Sequence, residues 1–164
     1  MNNKNHEKTL FVCRAAVIAA LYVALTYVSK MFGLDSGMIQ LRVSEALCVL
    51  PIFTPTAIPG LYLGCLCANL LTGAHWLDIL VGPVATLIGA LGTYALKKLP
   101  YIAPAPAVLS NALIIPFVLA YGYGMEEAIP FMMVTVGVGE LLSVYLFGMV
   151  LYFALRKRGT KWLS

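Results

Sequence analysis

The chain has 164 residues, of which 61% are hydrophobic and only 11% charged, and its formal net charge is +4. A soluble domain carries about 25% charged residues, so this chain has too little charge to cover a water-facing surface. The composition excludes an ordinary soluble domain and predicts an all-α integral membrane protein. The basic excess then indicates membrane orientation, and no nucleic-acid partner is expected.

Six apolar segments follow one another along the chain, at about residues 10–29, 41–53, 56–71, 77–96, 106–121 and 129–155. A helix needs about 20 apolar residues to cross the hydrocarbon core, where exposed backbone is not tolerated. We predict a six-transmembrane-helix bundle in a single domain, residues 1–164, with an N-terminal tail (about 1–9) and a basic C-terminal tail (about 156–164). The second and third segments are short and could instead form one re-entrant hairpin.

The basic residues test this count. With six spans and both termini cytoplasmic, nine of the eleven basic residues lie on the cytoplasmic side, near the N-terminus, at 97–98 and at 156–161. The positive-inside rule favours this orientation. Five spans would leave one terminal cluster outside. A cleaved signal peptide is the alternative for the first segment, but its apolar stretch is longer than a typical signal core.

Several catalytic and cofactor motifs are absent from the sequence. It contains no H-E-x-x-H, no G-x-S-x-G and no G-x-x-x-x-G-K-[ST] loop. Its four cysteines lack the C-x-x-C spacing of a zinc site, and we expect them to be small buried apolar residues. We therefore expect no metal, no cofactor and no enzymatic activity. If the protein moves a solute uphill, the ATP is hydrolysed by another chain.

Ionisable side chains inside a transmembrane segment are costly and mark functional sites. Arg42 and Glu45 stand three residues apart, so on a helix they share a face and can form an ion pair. That pair is either structural or half of a binding site. Glu140 follows two glycines deep in the sixth segment. It contacts a ligand, pairs with Arg42 or is a neutral acid.

Other polar and aromatic residues belong to the same outer half of the predicted bundle. Asp78 begins the fourth segment, where it either caps the helix or faces a ligand. Asn69 and Asn111 form hydrogen bonds between helices or contact the ligand. Trp76 is an interfacial anchor or a stacking lid, and Tyr62 offers a second flat face. The candidate substrate-binding residues are Glu45, Glu140, Asn111, Asp78, Arg42, Trp76, Asn69 and Tyr62.

The first segment carries a wide stripe of alanines. They follow the spacings Ala15-x-x-x-Ala19 and Ala16-x-x-x-Ala20-x-x-x-Ala24. Helices in lipid associate through small residues that let their backbones approach closely. The stripe either packs the bundle internally or forms the surface for a partner protein.

Several motifs between residues 39 and 148 carry a family resemblance. They are IQLRVSEAL (39–47), LP (50–51), FTP (53–55), AIPGL (57–61) with Gly64 and Asn69, P-x-P-x-V (104–108), NALI (111–114) and GVGE (137–140). Together they resemble the QueT family. The resemblance implies a multi-pass S component of an energy-coupling factor (ECF) transporter in a bacterial cell membrane. It also implies a shared transmembrane T subunit, contacted by alanine motifs of the first helix, and two ABC ATPases.

The resemblance implies a queuosine precursor as substrate: queuine, queuosine or the aminomethyl deazaguanine. A deazaguanine presents two adjacent N–H donors that one carboxylate can accept, and its aminomethyl group is a cation that favours a second acid. Glu45 and Glu140 are our candidates for these roles, with Asn111 and Asp78 in reserve. The alternatives are an S component for another vitamin such as thiamine and, more weakly, an intramembrane enzyme using Glu45, Glu140 and His75.

Overall fold

The structure is a computed structural model that describes residues 3–34 and 39–158, with side chains described for residues 5–34 and 39–157. The described residues form helices joined by turns, without strands. In chain order the elements are α1 (Asn3–Met31), a 3₁₀ helix (Val43–Ile52), α2 (Ala57–Leu71), α3 (Trp76–Ala95), α4 (Ala105–Gly122), α5 (Ile129–Leu141), a π-helical segment (Leu142–Phe147) and α6 (Gly148–Arg158). Parts of the predicted tails, including Lys161, and the loop acid Asp35 lie outside the described residues.

Four of these helical runs are long and apolar enough to cross a membrane: Asn5–Met31, Trp76–Ala95, Ala105–Gly122 and Ile129–Lys157. The 3₁₀ helix and α2 are apolar but shorter. At about 2.0 Å and 1.5 Å per residue they extend roughly 20 Å and 22 Å, against a hydrocarbon core of about 30 Å. The all-helical prediction is confirmed for the described chain. Six full crossings with cytoplasmic termini remain a prediction.

Large apolar side chains cover the outside of the bundle. Leu80, Val134 and Val150 are each at least 60% exposed. In water this apolar surface would promote aggregation. In the hydrocarbon of a bilayer, exposing the same side chains carries no free-energy penalty. The helices are consequently apolar all round, which is typical of a membrane span and not of a soluble bundle.

Small residues set the distances between helices. A Cβ added at Gly60 would lie 2.8 Å from the backbone oxygen of Ala15, and one at Gly64 would lie 2.7 Å from the Cβ of Tyr22. Helices α1 and α2 therefore run parallel with their backbones nearly in contact. The third segment therefore uses its glycines to pack the bundle.

Helices α3 and α4 run antiparallel. A Cβ at Gly89 would lie 2.6 Å from the Cα of Ala107, and one at Gly122 would lie 2.9 Å from Nδ1 of His75. The end of α4 thus returns to the start of α3. Together with the parallel pair α1–α2, this arrangement gathers the ends of α1, α2 and α4 around the starts of α3 and α5. We refer to this as the cavity end.

Candidate functional site

A cavity of about 340 Å³ opens at the cavity end. Its polar wall carries side chains from α1, α2 and α3, and its apolar wall comes from α4. The main lining residues are Thr26, Gln40, Arg42, Asn69, Asp78, Ile115, Val118, Leu119 and Tyr123. The volume lies within the range of about 300–1,000 Å³ that small-molecule sites occupy. We refer to it as the outer cavity.

Arg42 and Asp78 form an ion pair in the wall of this cavity. The Arg42 Nη2 atom lies 3.3 Å from Asp78 Oδ2, and the arginine side chain is 23% exposed. This corrects the sequence prediction, in which Arg42 pairs with Glu45. Arg42 precedes the 3₁₀ helix in extended conformation, so the helical face that the prediction assumed does not exist.

Asn69 and His75 fix the backbone around Asp78. The Asn69 amide donates to the Asp78 carbonyl oxygen over 2.9 Å, which confirms a hydrogen bond between α2 and α3. The cap of α3 is His75, whose Nδ1 accepts from the Leu77 amide. Because His75 supplies the cap, the Asp78 carboxyl is free to pair with Arg42.

A much smaller pocket lies beside the outer cavity. It is lined by Gln40, Arg42, Glu45, Gly82, Thr86, Asn111, Ile115, Val136 and Glu140. Its volume of about 10 Å³ is close to the space of a single water molecule. Gln40, Arg42 and Ile115 line both spaces, so the two are neighbours. We refer to this space as the inner pocket.

Glu45 is held by two donors of the protein itself. The Tyr22 hydroxyl donates to Glu45 Oε1, and the Cys48 thiol lies 3.0 Å from Glu45 Oε2. All three side chains are buried. A carboxylate has about four lone-pair directions, so Glu45 keeps acceptor capacity towards the inner pocket. Its role in substrate binding stays a prediction.

Glu140 and Asp78 each have a buried carboxyl oxygen without a hydrogen-bond partner in the described chain, and of the two only Asp78 forms an ion pair there. Glu140 is 7% exposed, and its atom without a partner is Oε2. Asn111 on α4 lines the same pocket as this carboxyl. Glu140 stands two residues before the π-helical segment, an irregularity that is often found at functional sites.

Gly139 brings the chain at Gln40 against α5. A Cβ on this residue would overlap the Gln40 backbone carbonyl. Only glycine therefore permits this approach, which places Gln40 beside Glu140.

Two residues that the sequence predicted to contact the ligand lie away from the outer cavity and the inner pocket. Tyr62 and Trp76 are absent from the described linings of both the outer cavity and the inner pocket. Trp76 is 60% exposed, and its ring centroid is 5.7 Å from that of His75. Tyr123 is the aromatic residue that lines the outer cavity, and its hydroxyl accepts from the His75 amide. A ligand role for Tyr62 and Trp76 stays a prediction.

The alanine stripe of α1 divides into two faces. Ala15 is buried and Ala19 is half-buried against α2. The other three alanines, Ala16, Ala20 and Ala24, are exposed and follow one another at intervals of four residues. These three form a smooth outward-facing stripe, which we call the exposed alanine stripe. Binding of a partner by the five alanines stays a prediction.

The comparison with known proteins decides the family. The model of the QueT transporter family matches residues 12–157, which is most of the chain. The chain belongs to the QueT transporter family. It is 37% identical over 82 residues to the queuosine precursor transporter QueT of Lactococcus lactis subsp. cremoris (strain MG1363). That match covers 50% of this chain and 48% of the relative, about half of its length. No solved structure gives a significant match.

Membership of the QueT family settles the broad class of the protein. The family and the Lactococcus relative are transporters and not enzymes. With its four long apolar helices, the chain is a multi-pass protein of a bacterial cell membrane. The intramembrane enzyme considered from the sequence is therefore not supported.

Several polar residues in and beside the two spaces were not predicted from the sequence. Gln40 lines both spaces, Thr86 lines the inner pocket, and Tyr22 and Cys48 hold Glu45. Gln40 precedes Arg42 within a motif that carried the family resemblance, and this could have drawn attention to it. Tyr22 lies among small residues of α1, and nothing in its spacing indicates a partner 23 residues away.

Proposed function

We propose that this chain is the substrate-binding S component of an ECF-type ABC importer for queuosine-related 7-deazaguanines. In this proposal it captures queuine, queuosine or the aminomethyl deazaguanine at the outer face. A T subunit and two ABC ATPases then drive uptake into the cell. Family membership and the name of the Lactococcus relative support the substrate class.

The observation that carries the proposal is the outer cavity and its contact with the acid-lined inner pocket. One wall is apolar, with Ile115, Val118 and Leu119 from α4, and suits the face of a fused ring. The other wall carries Asn69 and Asp78, whose oxygens can accept from ring N–H groups. A nitrogen-rich heterocycle is matched by acceptors on one side and by apolar surface on the other.

The requirement for partners follows from what the chain lacks and from what it exposes. It contains no G-x-x-x-x-G-K-[ST] loop, so a proposal of ATP-driven uptake needs ATPases on other chains. The exposed alanine stripe supports a helix-packing surface for the T subunit. The inward-facing Ala15 contributes indirectly, since it sets the distance between α1 and α2.

Isothermal titration of the purified full chain with queuine, queuosine and the aminomethyl deazaguanine tests the substrate claim. We expect saturable binding of at least one of these three ligands. Guanine, which lacks the 7-substituent, serves as the first control and should not bind at the same concentration. Thiamine serves as the second control. Tight binding of thiamine, with no response to any deazaguanine, would replace this substrate by another vitamin.

Co-purification of the full chain with the T subunit and ATPases of its host tests the partner claim. Ala20→Leu places a bulky side chain in the exposed alanine stripe, so we expect loss of the complex with ligand affinity unchanged. Leu80→Ala on the lipid-facing side of α3 is the control and should retain the complex. An intact complex in Ala20→Leu would remove the stripe from the partner interface.

A further inference from the structure

The carboxyl groups around the inner pocket outnumber the basic groups. Glu45, Asp78 and Glu140 are all at least 93% buried, and the guanidinium that faces them belongs to Arg42. Lys30 lies farther out, where its Nζ donates to the Thr72 carbonyl at the exposed mouth of the outer cavity. Three ionised carboxylates against one guanidinium leave two uncompensated negative charges away from water. An arrangement of this kind is strongly unfavourable.

Glu45 and Glu140 both lack an ion-pair partner in the described chain, and they differ in the hydrogen bonds that they accept. Asp78 is paired with Arg42, and Glu45 accepts from Tyr22 and Cys48. Glu140 has a buried oxygen without a partner in the described chain. Its neighbours are the neutral side chains of Asn111 on α4 and Gln40 in the extended segment, with Glu45 on the 3₁₀ helix adding a like charge. On α3, the pocket is lined by the neutral Gly82 and Thr86.

The size of the inner pocket restricts its guest to one heavy atom. Its volume of about 10 Å³ accommodates a single polar atom, whereas a fused ring fits only in the outer cavity. Because the two spaces share Gln40, Arg42 and Ile115, a ligand with a ring and a short arm can occupy both. An ammonium nitrogen at the end of that arm has the size of a water molecule and three N–H donors.

We propose that the inner pocket is an ammonium subsite, in which a proton on Glu140 is exchanged for the cationic arm of the ligand. This inference rests on the proposed function, since it names which end of a deazaguanine enters first. In the empty protein the Glu140 carboxyl is neutral and carries the proton. When the ammonium enters, Glu140 releases that proton to solvent and accepts a charged hydrogen bond in its place. The subsite thus selects precursors whose arm ends in a primary ammonium, such as the aminomethyl deazaguanine, over neutral ones.

Two ligands that differ only in the arm test the selectivity. Titration of the full chain with aminomethyl deazaguanine and with 7-methyl-7-deazaguanine should give a preference of roughly 10- to 150-fold for the amine. In Glu140→Gln the preference should fall to a fewfold, because the affinity for the methyl compound changes little. Glu126→Gln, at an exposed acid away from the pocket, should keep the full preference. Equal affinity of the wild-type chain for both ligands would overturn the subsite.

Proton exchange has three readouts of its own. Titrations in buffers of different ionisation enthalpy should show about one proton released per amine bound, and none in Glu140→Gln. The association constant should then rise up to tenfold per pH unit while Glu140 is protonated in the empty protein. Infrared spectra of the ligand-free chain should show a protonated carboxyl band that Glu140→Gln removes.

Tight amine binding without proton release would overturn the proton exchange and leave the transporter function standing. A ligand affinity that depends on sodium concentration in place of pH would do the same. Absence of binding to every deazaguanine would instead contradict the proposed function, while the infrared band would still report the proton.

Discussion

The two ends of the helical bundle use the same small residues for opposite purposes. At the closed end, Gly89 and Gly92 of α3 press against Ala107 and Pro106 of α4, and backbone touches backbone. At the cavity end, Gly82 brings α3 close to polar groups instead. A Cβ there would lie 2.9 Å from both the Asn69 amide nitrogen and Asp78 Oδ1.

Under the proposed function, stability and ligand recognition depend on separate parts of the same helices. At the closed end, the close neighbours of Gly89 and Gly92 are carbon atoms of Ala107 and Pro106 and the Ser110 hydroxyl, so these positions contribute favourable packing. The cavity end buries carboxyls and an arginine, which cost free energy unless they are paired or meet a ligand. Substitutions at the closed end should therefore change stability alone, whereas substitutions at the cavity end should change ligand affinity as well.

The largest effect is expected at the closed end, from Gly89→Ala. The new Cβ would lie 2.6 Å from the Ala107 Cα, a backbone atom that cannot move aside without separating α3 from α4. We expect a loss of about 3 kcal/mol in the free energy of unfolding, at the upper end of overpacking penalties. Unfolding of the purified chain in detergent, followed by circular dichroism, measures it.

Gly137→Ala is the matched control for this substitution. Its Cβ would meet the Ala112 Cβ at an ordinary 3.5 Å, so stability should be unchanged or slightly higher. The ligand dissociation constant of folded Gly89→Ala should equal that of the wild type. Equal losses of stability in both variants would show that close backbone contact at Gly89 is not what stabilises the closed end.

A smaller loss of stability is expected at the cavity end, from Asp78→Asn. This change removes the negative charge that faces Arg42 and leaves a partly buried guanidinium without its counter-ion. Removing one partner of a fully buried pair costs about 3–5 kcal/mol. Because Arg42 is 23% exposed, we expect about 2 kcal/mol here.

The double variant Arg42→Met/Asp78→Leu separates the two contributions of this pair. Apolar replacement of both charges should restore most of the stability, since the desolvation cost of the ions disappears with them. Ligand affinity should stay low, because the outer cavity has lost its charged wall. Full affinity in the double variant would remove both residues from the recognition site.

The sequence predicted the helices well because each depends on a local property. Apolar runs of the required length mark the long helices, and the predicted fourth segment (about 77–96) agrees with α3 to within one residue at each end. The tight 3₁₀ winding of the second segment and the π-helical segment after Leu141 were not predicted. Both are small changes of helical period that leave the average hydrophobicity of the segment unchanged.

The site was predicted as a set of residues but not as a set of contacts. Glu45, Glu140, Arg42 and Asn111 do line one pocket. The partner of Arg42 was assigned wrongly, because Asp78 lies 36 residues away and is brought near by the packing of α3 against the 3₁₀ helix that follows Arg42. The cavity volume is likewise a tertiary quantity, so the separation into an outer cavity and an inner pocket had no signal in the sequence.

The smallest expected effect is that of Tyr22→Phe, which removes one donor from Glu45 and changes no charge. Tyr22 and Glu45 are both nearly inaccessible, so the orphaned Oε1 acceptor cannot turn to water. We expect a loss of about 1 kcal/mol in the free energy of unfolding, since Cys48 still donates to the other oxygen. Tyr27→Phe, at an exposed hydroxyl that donates to the Leu71 carbonyl, is the matched control and should cost less free energy of unfolding.

The same Tyr22→Phe variant also tests whether Glu45 accepts a hydrogen bond from the ligand. If it does, freeing Oε1 should tighten ligand binding, because the ligand then donates to an acceptor that the protein leaves without a donor. A ligand affinity that is unchanged in Tyr22→Phe, together with the expected loss of stability, would make Glu45 a structural residue and leave Glu140 as the acid that recognises the ligand.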